Sequence, residues 1–148
     1  MITNQEQTTN KVFLSHFNTI NIPNNYRLQI IKNSQEIDDN LDEIYIKDII
    51  GMYDDIQIID FLKEVIDKLK PSGFLHIQDI DIEQLCVYLS YKIIAIGDKS
   101  ILYANNRKNI FRLRYILHIL KNINNISIKQ TNFINGYEFY IMVQKNAE

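Results

Sequence analysis

The sequence is poor in cysteine, proline, glycine and tryptophan, and each scarcity narrows the chemistry that the chain can support. Its 148 residues include one cysteine, two prolines, four glycines and no tryptophan. One cysteine excludes an intrachain disulfide framework and a zinc site built on several cysteines. We expect Cys86, within the apolar stretch EQLCVYLSYK, to be a buried structural thiol rather than a nucleophile.

Several catalytic and nucleotide-binding motifs are also missing. The sequence has no Walker A loop, no G-x-G-x-x-G, no G-x-S-x-G and no H-E-x-x-H. The histidines at positions 16, 76 and 118 do not have the spacing of a metal site. These absences exclude P-loop nucleotide binding and a nucleophile-elbow hydrolase, and we expect no metal.

The chain also lacks a strong excess of charge of either sign. Its formal net charge is −2, and no region is strongly basic along its length. Because nucleic-acid binding normally needs a clustered positive face, we do not expect nucleic acid as a partner. One local basic group is interpreted as the solvated start of a helix: Arg107, Lys108, Arg112 and Arg114.

Long apolar runs are absent too. No segment approaches the length of a membrane span, and the polar N-terminus MITNQEQTTN lacks the core of a signal peptide. We therefore expect a cytoplasmic protein without a membrane partner. The length, with 46% hydrophobic and 23% charged residues, fits one globular domain. Residues 1–10 show no periodicity and predict a loose tail, which leaves residues 11–148 as a single domain.

The most informative stretch runs from Asp42 to Asp81. It opens with DEIYIKD, a short strand, and continues with apolar residues at helical spacing between Ile56 and Lys70. Pro71-Ser72-Gly73 then predicts a turn, and Phe74 to Ile77 predicts a second strand. A strand, a helix and a second strand in this order predict a βαβ crossover and hence a largely parallel sheet.

The flanking segments predict further elements around this crossover. A terminal hairpin is indicated by the turn pair Asn135-Gly136 between two β-rich runs. The pair Gly97-Asp98 indicates another short hairpin, because glycine and aspartate favour turns. The remaining predicted elements are a strand at Lys11–Leu14, helices at Glu83–Lys92 and Asn109–Asn122, and hairpin strands at Ile126–Thr131 and Tyr137–Gln144.

The central stretch resembles class I methyltransferases that depend on S-adenosylmethionine (SAM). LDEIYIKDII followed by FLKEVIDKLKPSGFLHIQDID is similar to their second half, and the run from Leu69 to Leu75 matches their L-K-P-G-G-x-L turn with Ser72 for the first glycine. The resemblance covers roughly residues 11–145. It implies a three-layer Rossmann-like α/β fold with a mostly parallel sheet and an antiparallel C-terminal hairpin strand.

The resemblance also implies where a site would lie. SAM would sit over the ends of the first strands, and the acceptor would approach from the side of the fourth. The cofactor residues implied in this way are Ser15, His16, Gln29, Asp38 and Asp48, and the acceptor side is Asp79, Tyr103 and Arg107. No catalytic base is assigned. The alternative for Asp38 is a residue of a solvated turn, and the alternative for Asp48 is a cap of the short turn that follows it. Asp81 is interpreted as the N-cap of the next helix.

Two departures from the family pattern leave two functions open. Leu14-Ser15-His16-Phe17 stands where the family has a glycine-rich turn, and the position near Ile30 lacks the acid with which the family grips the ribose. One hypothesis is methyl transfer from SAM to an unknown small-molecule or macromolecular acceptor. The alternative is a catalytically inert protein of this fold that serves as a binding or assembly subunit. A homodimer that shares its site between copies is a third, weaker option.

Overall fold

The computed structural model describes residues 10–16, 22–90, 107–134 and 136–147. The predicted tail before residue 10, Phe17, the Gly97-Asp98 hairpin, Tyr103 and Asn135 lie outside these ranges. The strands are β1 (Lys11–Ser15), β2 (Arg27–Ile30), β3 (Leu41–Lys47), β4 (Leu69–Ile80), β5 (Ile126–Ile134) and β6 (Glu138–Lys145). The helices are α1 (Gln57–Asp67), α2 (Ile82–Ser90) and α3 (Leu113–Lys121), with short 3-10 turns at Ser34–Glu36 and Ile50–Met52.

The strands form one six-stranded sheet in the order β2-β1-β3-β4-β6-β5. The first four strands in this order are parallel, whereas β6 runs antiparallel to both β4 and β5. The predicted crossover is confirmed, because β3 and β4 are parallel neighbours with Ile44 opposite Leu75 and Ile46 opposite Ile77. The predicted fold class, an α/β Rossmann-like methyltransferase fold with an antiparallel C-terminal hairpin, is therefore the observed one.

Helices α1 and α3 cover one face of the sheet and form the core with it. Helix α1 begins after Asp54, whose side chain accepts the backbone N–H groups of Ile56 and Gln57 at 2.9 and 2.7 Å. Its apolar residues recur at helical spacing, so one side of the helix is buried. The core contains Val12, Leu14, Ile44, Ile46, Leu75, Ile77, Phe139, Ile141 and Val143 from the sheet, Ile58, Phe61, Leu62, Val65 and Ile66 from α1, and Ile116, Ile119 and Leu120 from α3.

The opposite face of the sheet carries a row of aromatic rings rather than aliphatic side chains. Phe13, Tyr45, His76 and Tyr140, from β1, β3, β4 and β6, stack in series with ring centroids 5.6, 5.4 and 5.9 Å apart. His76 also bonds Tyr140 through Nδ1 at 2.6 Å and Glu43 through Nε2 at 3.1 Å. Parallel strands that are covered on both faces have continuous apolar sequences, whereas the parallel strand β3 alternates between buried residues and exposed or part-exposed ones.

The predicted turn at Pro71-Ser72-Gly73 lies inside β4 as an irregularity. Leu41 pairs with Leu69 and Glu43 pairs with Phe74, so four residues of β4 stand opposite one residue of β3. Ser72 has φ +68°, in the left-handed region that glycine adopts most readily. The bend of the family motif is therefore kept although serine occupies the first glycine position.

Helix α3 starts at Leu113, four residues later than predicted. The backbone N–H groups of Lys108 and Asn109 donate to the carbonyl of Gly51 at 2.7 and 2.9 Å, which ties this segment to the loop after β3. The prediction for Cys86 was wrong, because its side chain is exposed on α2, where Leu85 is the buried residue. None of the helices in the described ranges is long and apolar enough to cross a membrane.

Candidate functional site

The carboxyl ends of β1 to β4 meet at one edge of the sheet because these strands are parallel. From β1 the chain moves outward to β2, and from β3 it moves the other way to β4, so the direction reverses between β1 and β3. Ligands of open α/β sheets bind in the crevice at such a reversal. The residues that follow these strands therefore define the candidate site.

His16 follows β1 and is held by two polar contacts. Its Nδ1 lies 2.7 Å from the carbonyl oxygen of Ile31, and its Nε2 lies 3.2 Å from the Tyr53 hydroxyl. The carbonyl of Ser15 accepts the Ile31 N–H at 2.9 Å. Tyr53 stacks on Phe61 with centroids 4.3 Å apart, and burial raises the pKa of Tyr53 to about 12. The imidazole thus links β1, the end of β2 and the loop after β3.

Gln29 of β2 and Asp38 of the following loop join that loop to the strand. The Gln29 amide donates to the Glu36 carbonyl at 2.8 Å, and its carbonyl oxygen lies 3.4 Å from the Asp38 N–H. The Asp38 carboxylate pairs with Arg27 at 2.5 Å on the surface. Both predicted cofactor residues therefore stabilise residues 34–38 against β2.

Asp48 follows β3 and carries a half-buried carboxyl group. Its backbone adopts φ +57°, and its N–H donates to the Gln78 carbonyl at 3.0 Å. Burial raises the pKa of Asp48 to about 6, with further increases from the charges of Asp79 and Glu138. Its Oδ1 is buried without a hydrogen-bond partner. Asp48 is thus ionised at neutral pH but takes up a proton more readily than an ordinary aspartate.

Asp79 and Arg107, both predicted on the acceptor side, form a buried ion pair. Asp79 Oδ1 lies 2.8 Å from Arg107 Nη1, and their side chains are 1% and 4% exposed. Burial raises the pKa of Asp79, while the Arg107 charge opposes that rise. Asp79 Oδ2 and Arg107 Nε have no hydrogen-bond partner. The interpretation of Arg107 as part of a solvated helix start was wrong, because this carboxylate draws it into the interior.

Gly51 connects this ion pair with the loop after β3, and sequence reasoning did not identify it. A Cβ atom at position 51 would lie 2.3 Å from Arg107 Nη1 and 2.7 Å from the Asn109 carbonyl oxygen. Only glycine allows so close an approach. The available signal was that Gly51 is the first glycine of the chain and stands three residues after a strand-end aspartate.

Asp81 caps two helices, although the sequence predicted one. Its Oδ1 accepts the Gln84 N–H of α2 at 2.9 Å, as predicted. Its Oδ2 accepts the Leu113 N–H of α3 at 2.7 Å. The side chain is 2% exposed, so both bonds are shielded from water.

Comparisons with known proteins support the fold. No protein-family model and no curated protein matches the sequence. An O-methyltransferase family protein from Burkholderia thailandensis superposes with a TM-score of 0.61 and 13% identity over 83% of this chain and 36% of that chain. The magnesium protoporphyrin IX methyltransferase ChlM from Synechocystis PCC 6803, solved with bound SAH, superposes with a TM-score of 0.55 and 15% identity over 82% of this chain and 51% of that chain. The PH0226 protein from Pyrococcus horikoshii OT3 superposes with a TM-score of 0.58 and 18% identity over 82% of this chain and 59% of that chain.

The chain spans between about a third and three fifths of the length of these solved structures. At such low identities, the likeness concerns the backbone arrangement and not the site residues. The chain has a class I methyltransferase-like fold.

Proposed function

We propose that this protein, with its methyltransferase-like fold, binds SAM and transfers the methyl group of SAM to an acceptor. In this proposal the Asp48 carboxylate takes the proton of the acceptor. In such a transfer the bond from sulfur to the methyl group breaks as the bond from the acceptor atom forms. The acceptor's proton goes to a base, and demethylated SAM (SAH) leaves. A protein catalyses this mainly by positioning donor and acceptor, with a general base as a further contribution.

The position of Asp48 and its raised pKa support this proposal. It stands at the end of β3, beside the point where the strand order reverses, and one of its carboxylate oxygens has no partner. Its pKa of about 6 lies near neutral pH, where a general base works best. Perturbed carboxyl groups in a crevice are typical of functional sites.

Ser15 and His16 are the residues expected nearest to the cofactor. Leu14 of β1 pairs with Ile46 of β3, and His16 and Asp48 each lie two residues beyond that pair. The register therefore places the ends of β1 and β3 next to each other. From these ends His16 bonds to the residue after β2, and Asp48 bonds to β4. When bound there, SAM would supply the methyl group. The fit is partial, because His16 already bonds Ile31 and Tyr53.

A test of cofactor binding is thermal melting with and without millimolar SAM or SAH. A ligand present at one hundred times its dissociation constant stabilises by about 2.7 kcal/mol, a shift of several degrees for a chain of this size. We expect both compounds to raise the melting temperature and His16→Ala to reduce the shift. Asp48→Asn should leave the shift intact, because Asp48 acts on the acceptor. ATP serves as an adenine-containing control, and no shift with SAM or SAH would contradict the proposal.

A catalytically inert binding or assembly role is the second candidate, and specific contacts favour it. His16, Gln29 and Asp38 are all engaged within the chain. This candidate predicts a folded protein whose melting temperature is unchanged by SAM and by SAH.

A further inference from the structure

A groove of about 560 Å³ lies where the amino-terminal ends of α1, α2 and α3 meet. Its volume is within the roughly 300–1,000 Å³ typical of small-molecule sites. The residues that line it come from the segment before α1, the first residue of α2 and the first turn of α3. None of the groups proposed for methyl transfer lines this groove.

The floor of the groove is apolar and rigidly held. Ile82, Phe111 and Tyr115 contribute to it. The rings of Phe111 and Tyr115 stack with centroids 5.8 Å apart and planes 11° apart. The Ile82 N–H donates to the Phe111 carbonyl at 3.2 Å, which joins α2 to the segment before α3. Phe111 is 4% exposed, so its ring forms the base of the groove.

Two of the residues that line the groove are arginines that share a single acceptor. Arg112 Nε lies 3.4 Å from Glu83 Oε1, and Arg114 bonds the same oxygen. The side chains of Arg112 and Arg114 are 59% and 72% exposed. Each guanidinium has five N–H donors, so most of the ten remain available to a ligand. Because the pairs with Glu83 are exposed, they hold the guanidinium groups only weakly.

One acidic residue, Asp55, also lines the groove and is held by two contacts. Asp55 Oδ1 accepts the Asn109 amide at 2.7 Å, and the Asp55 carbonyl accepts the Tyr115 hydroxyl at 3.3 Å. A negative ligand group is repelled by Asp55 and attracted to Arg112 and Arg114. The groove thus combines apolar rings with two basic residues and one acidic residue.

We propose that this groove binds an organic anion with an apolar or aromatic body. The anionic group contacts Arg112 and Arg114, because guanidinium groups bind oxyanions through several parallel hydrogen bonds. The body lies against Phe111 and Tyr115. Binding by the groove does not rest on the proposed function.

Fluorescence titration without SAM tests the groove directly. The probe is anilinonaphthalene sulfonate, which joins an aromatic body to a sulfonate, and its neutral counterpart is N-phenylnaphthylamine. We expect the sulfonate to bind at least about tenfold more tightly than the neutral compound, because hydrogen bonds from guanidinium groups to an oxyanion are stronger than those between neutral groups. The double variant Arg112→Gln/Arg114→Gln should weaken sulfonate binding at least about tenfold.

The matched control is Lys121→Gln/Lys129→Gln, which removes two exposed positive charges away from the groove. It should leave sulfonate binding unchanged. Circular dichroism shows that each variant is folded, and the single variant Arg114→Gln provides a milder test. The proposal is overturned if the sulfonate does not bind, if the neutral compound binds as tightly, or if the two double variants weaken binding equally. These results do not depend on whether SAM shifts the melting temperature.

Discussion

Asp48 combines a left-handed backbone with a half-buried carboxyl group, and its ionisation opposes folding at neutral pH. Its pKa is raised to about 6 in the folded chain, against about 3.9 for an unperturbed aspartate. Between these two values the folded chain binds more protons than the unfolded chain. The free energy of unfolding contributed by this group therefore falls as pH rises from about 4 to 6 and stays low above that range.

Asp48→Asn should stabilise the protein at pH 8 and change its stability little at pH 4. The neutral amide removes the cost of burying a charge, a gain of up to about 3 kcal/mol at pH 8, and asparagine tolerates a positive φ. Urea denaturation at both pH values measures the free energy of unfolding. Asp42→Asn is the control, because its exposed ion pair with Lys70 predicts a change below about 1 kcal/mol. Equal or lower stability of Asp48→Asn at pH 8 would show that this carboxyl group is not desolvated.

At the scale of elements, Asp81 joins two helices to the end of β4. One oxygen of its carboxylate accepts an N–H from α2, and the other oxygen accepts an N–H from α3. Asp81→Ala should lower the free energy of unfolding by about 2–4 kcal/mol, because it removes both bonds in a buried position. Asp54→Ala removes the exposed cap of α1 alone and should cost about 1 kcal/mol. If urea denaturation gave equal losses for the two variants, the second bond of Asp81 would not contribute to stability.

The ion pair between Arg107 and Asp79 fixes the segment before α3 against the sheet. Arg107→Gln leaves the Asp79 carboxylate buried without its partner and should cost about 3–5 kcal/mol in urea denaturation. The double variant Asp79→Asn/Arg107→Gln should be more stable than Arg107→Gln alone, since no uncompensated charge remains. Asp79→Asn completes the comparison. If the losses in free energy of unfolding of Asp79→Asn and Arg107→Gln add up to the loss of the double variant, the two side chains do not act as a pair.

At the scale of the whole molecule, local sequence patterns predicted the fold better than they predicted the site. The β3–α1–β4 crossover and the C-terminal hairpin were predictable because periodicity and turn residues act over short stretches of chain. The strand ends also showed where Ser15, His16 and Asp48 would lie. Their partners were not predictable, because contacts such as Arg107 with Asp79 join residues far apart in sequence.

The burial of individual side chains was harder to predict for the same reason. Cys86 lies in an apolar stretch, yet the packing of α2 leaves it exposed. The alternation of Glu43, Tyr45 and Lys47 with buried isoleucines in β3 was visible in the sequence, but only the assembled sheet shows the aromatic row to which Tyr45 belongs.

The position of β6 beside β4 has a consequence for synthesis on the ribosome. Phe74 pairs with Gln144 and Ile80 with Glu138, so β4 leaves the exit tunnel long before its second neighbour exists. Until then one flank of β4 presents unpaired N–H and carbonyl groups beside Leu75 and Ile77, a template that invites pairing with other chains. We therefore expect the nascent chain to be more prone to aggregate before β6 pairs with β4 than afterwards.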